Sequence, residues 1–231
     1  MYGFEDMRAC QHIEGGLQQG MSDRYPIPDL APGQTHNVQL LIRRSRFLAA
    51  VAHCSSVEGA RAFIQAQRQM YADAAHNCWA FCAGPPGNAA SIAYNDDGEP
   101  YGTAGRPMLT VLLHSGVGEL VCVVTRYFGG VKLGTAGLVH AYQDSVRAAL
   151  ADLPLRLHTQ TTAICVTVNY KYVDMLRRAL PVHEAHIRRE KFAEAACFDI
   201  AIPKEQLEAF CQLLKERSSG SALIAYMTPG S

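Results

Sequence analysis

Several things are scarce or missing in this sequence, and each absence narrows the reading. Lys and Arg number 21 and Asp and Glu 21, so there is no net charge to draw nucleic acid or any other polyanion to the chain as a whole. The balance holds along the chain. Residues 1–35, 36–155 and 156–231 carry net −3, +1 and +2 (two, nine and ten basic residues against five, eight and eight acidic), so polyanion binding would have to come from local patches. No apolar run approaches about eighteen residues, which excludes a membrane-spanning helix. The opening stretch MYGFEDMRACQHIEGGLQQGMSDRYPIP has no basic start followed by an apolar run and does not read as a secretory leader. No CxxC pair occurs among the eight cysteines, and several of them lie in apolar runs where Cys behaves as a small hydrophobe. Reduced thiols in a cytoplasmic protein are expected, with no bound metal and no cofactor. Cys78 and Cys82 share one face of a strand but have no matching second pair for zinc. No GxxxxGK[ST] phosphate loop and no GxSxG elbow is present, which removes Walker-type nucleotide binding and Ser-His-Asp catalysis.

What is present is a soluble composition, 48% hydrophobic and 18% charged. Residues 1–30 show no sustained periodicity and are expected to be a flexible extension. THNVQLLIRRSRFLAAVAH predicts two strands around 36–42 and 46–52, joined at the basic turn of Arg43, Arg44 and Arg46. SSVE at 55–58 fits a capping box for the helix that follows. HNCWAFC and SIAYN read as strands, and GRPMLTVLLH as a helix with Pro107 near its start. ELVCVVT is a short apolar run of the kind expected in a strand buried on both faces. A long amphipathic helix over 134–153 closes at Pro154. From about 160 onward the order strand, helix, strand, strand, helix, strand fits within roughly 70 residues, the split βαβ or ferredoxin-like pattern. The chain therefore reads as α+β in two domains, 31–156 and 157–231.

Two segments concentrate chemistry. DDGEPYGTAGR at 96–106 and RYFGGVKLGTAG at 126–137 each contain GTAG, and each copy opens a helix. A helix N-terminus leaves backbone N–H groups unpaired and carries partial positive charge, so an anion can settle there. Gly102, Thr103, Gly105 and Arg106 in one segment, with Arg126, Tyr127, Gly129, Gly130, Lys132, Gly134 and Thr135 in the other, are the candidate anion or nucleic-acid site. Tyr127 or Phe128 could stack on a base. The opposing reading is that the glycines only make strand-to-helix turns. Asp96, Asp97 and Glu99, three carboxylates in four positions, repel one another and need partners. With His76 they form the candidate acid–base or metal-binding set; the alternative is that they cap the next helix or pair with Arg106, Arg126 or Lys132.

DDGEPYGTAGRPMLTVL and VVTRYFGGVKLGTAGLVHAY, preceded by SRFLAAVAH and DAAHNCWAF in that order, strongly resemble the signature of the YigZ/IMPACT family. The resemblance is dense over 33–155, and the C-terminal 75 residues fit the bacterial YigZ-type architecture. It departs at Tyr101, where relatives often carry a small residue, and at His140, where they often carry Arg or Lys. The resemblance implies an N-terminal domain with the fold of the second domain of a small-subunit ribosomal protein, shared with elongation factor G, and a C-terminal domain like that factor's ferredoxin-like domains. Eukaryotic relatives regulate translation through protein partners and an extra domain that this chain is not expected to carry, and bacterial relatives have been suspected of binding nucleic acid or ribosomes. The expected function is thus a non-enzymatic accessory factor of translation, with RNA, a ribosome or a protein as partner and no membrane. The alternatives are a phosphate-ligand hydrolase or transferase built on His76 and the acids, or a protein-interaction adaptor.

Overall fold

The computed structural model describes residues 23–227; within them the sequence periodicities become two sheets with helices and a small ribbon. In the N-terminal domain the strands β2 (His36–Ile42), β3 (Ser45–His53), β4 (His76–Cys82), β5 (Ile92–Asn95) and β6 (Leu120–Tyr127) form one sheet in the order β2-β3-β6-β4-β5. Every neighbouring pair is antiparallel. Helices α2 (Gly105–His114) and α3 (Gly134–Ala151) pack on one face through Met108, Leu112, Leu138, Tyr142 and Val146. Helix α1 (Val57–Met70) covers the other through Ala60 and Ile64.

This arrangement explains the ELVCVVT run. Leu120, Cys122 and Val124 of the central strand β6 face α2 and α3, while Val121 and Val123 face α1, and all five are fully buried. The cap of α1 falls one residue later than SSVE predicts: the Ser56 hydroxyl accepts from the Gly59 N–H at 3.1 Å.

The C-terminal domain contains β8 (Thr161–Val168), α4 (Val173–Val182), β9 (His186–Phe192), β10 (Ala196–Pro203), α5 (Leu207–Arg217) and β11 (Leu223–Tyr226). Its sheet runs β11-β8-β10-β9 with all neighbours antiparallel, the strand order of the split βαβ pattern. Ile164, Val166 and Val168 of β8 and Phe198, Ile200 and Ile202 of β10 meet Leu176 of α4 and Phe210 and Leu214 of α5. The alternate residues of β8 and β10 lie on the opposite face.

The extension expected over residues 1–30 is corrected at its end, because Arg24–Pro28 is strand β1, paired antiparallel with β7 (Leu155–Thr159). Tyr25 and Ile27 are buried, Ile27 completely. The sequence hid this strand because RYPIP holds two prolines and no alternation. A ribbon with a single partner tolerates prolines that a central strand would not. Residues 1–22 of the expected extension lie outside the described residues. The ribbon touches both domains: the Gly118 N–H donates to the Pro26 carbonyl at 2.9 Å, and Arg24 pairs with Glu184 at 2.8 Å and Glu205 at 2.6 Å.

Candidate functional site

The acidic segment after β5 folds into a turn in which Asp97 and Gly98 take left-handed backbone conformations (φ 45 and 85) and the Glu99 N–H reaches back to the Asp96 carbonyl at 2.9 Å. The turn sends the three carboxylates in different directions. Asp96 faces the start of α2. Its Oδ1 accepts from the N–H groups of Ala104 (3.0 Å) and Gly105 (2.8 Å), and its Oδ2 from that of Gly102 (2.8 Å). Ala104, the residue at the N-cap position, has no side-chain acceptor of its own. The unpaired N–H groups and positive end of the helix are therefore answered by a carboxylate from eight residues upstream. Gly105 is required by proximity: a Cβ there would stand 2.6 Å from the Asn95 carbonyl oxygen.

The first GTAG copy consequently holds an anion that belongs to the chain itself. Gly102, Thr103 and Gly105 do not present their backbone to an outside ligand. Thr103 is buried, with its hydroxyl donating to the Pro100 carbonyl at 2.6 Å. Arg106 alone in that segment is an exposed cation.

The other two acids are also engaged. Asp97 accepts from Arg68 Nη2 at 2.5 Å and from the Asn77 N–H at 2.7 Å. Glu99 is buried, and its Oε1 accepts from Arg126 Nη1 at 2.6 Å and from the Tyr142 hydroxyl at 2.8 Å. Burial, reinforced by the neighbouring Cys78 and Glu99, drives the Tyr142 phenol far above its ordinary pKa, so it acts as a donor. His76 donates from Nδ1 to the Asp97 carbonyl at 2.8 Å, a role fixed because a carbonyl can only accept. Its Nε2 stands 3.9 Å from Glu99 Oε2. The residues proposed for acid–base or metal chemistry thus serve as a helix cap and as ion-pair partners under the loops. That counts against the hydrolase or transferase reading, since each carboxylate already has its own donors.

The second segment is different. Arg126, at the end of β6, is buried against Glu99, with Phe47 and Phe128 flanking its guanidinium at 5.6 and 5.7 Å. It is a structural cation rather than a surface one. Tyr127 donates its hydroxyl to Asp73 at 2.8 Å, and the Arg46 guanidinium lies 4.4 Å from its ring centroid. Beyond it the chain turns outward. Phe128 is 53% exposed, and Gly130, Lys132, Gly134 and Thr135 are all exposed.

Gly129 decides where this loop sits. A Cβ on it would lie 2.0 Å from the backbone carbon and oxygen of Arg44, and its N–H donates to Ser45 Oγ at 3.2 Å. Only glycine allows that approach. It seats the loop on the two-residue turn between β2 and β3, where Arg43 and Arg44 take φ values of 46 and 67, the left-handed pair typical of a tight hairpin. Arg43, Arg44 and Arg46 are exposed. Two basic segments separated in sequence by 84 positions become one surface. The helix that opens from it, α3, has no side-chain cap at its N-terminus, unlike α2 with Asp96.

A further cluster gives no sign in the sequence. Glu119, buried and at φ 53, accepts from Tyr25 at 2.8 Å through Oε1 and pairs with His53 Nε2 at 2.8 Å through Oε2; His158 Nε2 is 3.7 Å away. These four residues come from β1, β3, the residue just before β6, and β7. No local spacing could have joined them: the β3–β6 pairing brings His53 to Glu119, and the docking of the β1–β7 ribbon adds Tyr25 and His158.

Comparison with known proteins agrees with this architecture. Residues 43–150 match the model of the Impact N-terminal domain, and residues 166–221 match a domain of unknown function, DUF1949. The chain is 37% identical over 192 residues to IMPACT family member YigZ of Escherichia coli, covering 83% of this chain and 94% of that protein. It is 35% identical over 189 residues to an IMPACT family member of Haemophilus influenzae (82% and 92% covered) and 30% identical over 184 residues to IMPACT family member YvyE of Bacillus subtilis (80% and 84%). A solved structure described as the crystal structure of a hypothetical protein is similar with a TM-score of 0.64 at 34% identity, over 90% of this chain and 99% of that one. With two domain matches in order and relatives aligned over most of its length, the chain belongs to the IMPACT family.

Proposed function

We propose that this protein binds single-stranded RNA, as an accessory factor of translation, through the surface formed by the β2–β3 turn and the β6–α3 loop. The observation that carries the reading is the close approach of Gly129 to the Arg44 backbone. It seats the loop that carries exposed Phe128 and Lys132 against the turn that carries the exposed cations Arg43, Arg44 and Arg46. Positive charge that follows a phosphate backbone, next to an aromatic face on which a base can stack, is what sequence-tolerant single-strand binding requires. A chain without net charge needs such a local concentration. The uncapped start of α3 adds N–H groups and dipole at the same edge. The link to translation rests on the family resemblance, which is an argument from kinship and not from the site.

The test is fluorescence anisotropy with a labelled single-stranded RNA across a salt series. Arg43→Ala with Arg44→Ala weakens binding and flattens the log–log salt dependence by about 0.7 for each phosphate no longer neutralised. Phe128→Ala costs about 1–3 kcal/mol if the ring stacks on a base. Arg126 is unsuitable for the purpose, because removing it opens the buried Glu99 pair. RNA affinity unchanged in both variants would refute this surface, and a protein partner captured in nuclease and high salt would favour the adaptor reading.

A further inference from the structure

The face of the C-terminal sheet turned away from α4 and α5 holds a group of donors that the readings above do not use. Alternation places Ile164, Val166, Phe198 and Ile200 toward the helices and so turns Cys165, Thr167, Cys197 and Asp199 to the other side. In the β8–β10 pairing Cys165 lies directly across from Asp199, and Cys197 across from Thr167. The two thiols are a diagonal pair with Sγ atoms 3.0 Å apart. The two sulfurs and an Asp199 carboxylate oxygen all lie within 4.8 Å of one another. Among the described residues, no other group of three His, Cys, Asp or Glu side chains meets that condition.

The reduced thiols can share a hydrogen bond at this distance, and two chemistries could join them further. A disulfide needs sulfurs about 2.05 Å apart and Cα atoms within about 7 Å, whereas diagonal neighbours across antiparallel strands sit about 7–8 Å apart. A tetrahedral ion with metal–sulfur bonds of about 2.3 Å holds its two sulfurs about 3.8 Å apart, which the diagonal pair reaches by opening slightly. A disulfide also makes no use of a carboxylate, and here the third donor is one.

The neighbouring strand supplies positive charge. The β9–β10 register shifts between Asp199 and Ile200: Asp199 faces Arg189 and Ile200 faces Ile187, leaving Arg188 as the extra residue of a bulge. Bulges re-aim side chains, and this one puts Arg188 and Arg189, with Asp199, Ala163, Ile200 and Met227, around a cavity of about 190 Å³. Arg189 Nε is 3.7 Å from Asp199 Oδ2. Two thiolates and a carboxylate around a divalent ion leave one net negative charge, and the two arginines are placed to balance it.

We propose that Cys165, Cys197 and Asp199 bind one zinc-class divalent ion, whose fourth position opens toward the cavity lined by Arg188 and Arg189 and takes water or a small anion. Sulfur and carboxylate donors together favour a borderline-soft ion over magnesium or calcium. The open position distinguishes the site from a closed structural one.

The test is titration of the reduced full-length protein with Co²⁺, read by its sulfur-to-metal charge-transfer absorption, followed by displacement with Zn²⁺ and metal analysis by mass spectrometry. One ion per chain is expected. Cys165→Ser and Cys197→Ser abolish the charge-transfer band. Asp199→Asn weakens affinity by more than the roughly 10–100-fold that loss of an outer partner costs. Cys211→Ser, a half-buried thiol outside the group, changes nothing. Circular dichroism on each variant separates lost binding from lost fold. Full stoichiometry in Cys197→Ser overturns the proposal. So does a reduced wild-type chain that takes up no ion, or a Cys165–Cys197 disulfide that persists while Cys211 stays reduced.

Discussion

Replacing Asp96 by Ala tests whether the first GTAG turn is filled from within. The carboxylate accepts three backbone N–H groups, two of them on the buried residues Ala104 and Gly105. A buried donor left without its acceptor costs about 1–3 kcal/mol, and loss of a cap with its favourable dipole interaction costs about 1–2 kcal/mol on its own. The Gly102 N–H is half-exposed and can turn to water. A total of about 3–4 kcal/mol follows, consistent with two stranded donors. The chain holds one tryptophan, Trp79 on β4, directly across from Asn95 of β5. Its fluorescence therefore reports unfolding of the N-terminal domain beside this turn. With a urea m-value of about 2 kcal/mol/M the midpoint should fall by about 1.5–2 M. Formate added to the variant should recover part of the loss by occupying the vacated position, with no effect on wild type. A loss below about 1 kcal/mol, or phosphate stabilising wild type and variant alike, would mean that Asp96 does not close this helix end and that the anion site is external.

Two further outcomes follow from the buried charges. Arg126→Ala leaves the Glu99 carboxylate buried with only Tyr142 as donor and should cost about 3–5 kcal/mol in the same Trp79 assay, so a near-neutral result would show that the pair is solvated. For Glu119, burial raises the carboxyl pKa, but hydrogen bonds from His53 and Tyr25 and the nearby His158 outweigh it and hold the group below its usual value. A depressed carboxyl stabilises the fold above the ordinary carboxylate pKa of about 4.3, and that stability is lost as pH falls through the lower folded-state value. Glu119→Gln should cost about 2 kcal/mol at neutral pH and almost nothing once acid has protonated the wild-type group. A gap that stays constant down to low pH would refute the assignment.

Much of the architecture was legible because it is carried by local periodicity. ELVCVVT is a short apolar run of the kind expected in a strand covered on both sides, and the βαββαβ order after residue 160 leaves few other arrangements. The clustering of Asp96, Asp97 and Glu99 correctly marked a place where carboxylates must find partners. Two of the answers, a cap on the next helix and a pair with Arg126, stood among the alternatives read from the sequence; which acid takes which role, and the parts of Arg68 and Tyr142, were not legible. Asp96 turns to a helix start eight residues on, Asp97 to Arg68, and Glu99 to Arg126 and Tyr142, and those choices depend on how β5, α1 and α3 pack. The symmetry of the two GTAG copies misled for the same reason. A repeated tetrapeptide specifies a similar turn, not whether another part of the chain already occupies it. RYPIP was missed because its two prolines suppress every strand signal while its single partner, β7, forgives them.

By itself the sequence determined the two-domain α+β plan, the buried central strand, the family resemblance and the segments where chemistry gathers, since all of these are written in residue type and short-range spacing. Only the tertiary structure decided which helix end is filled, that Gly129 of the β6–α3 loop sits against the Arg43–Arg44 turn, and that Cys165, Cys197 and Asp199 meet on a sheet face. Those facts depend on the packing of positions tens of residues apart. Their physical causes are a Cβ that Gly129 lacks, a carboxylate seeking buried N–H groups, and the pairing register of two antiparallel strands.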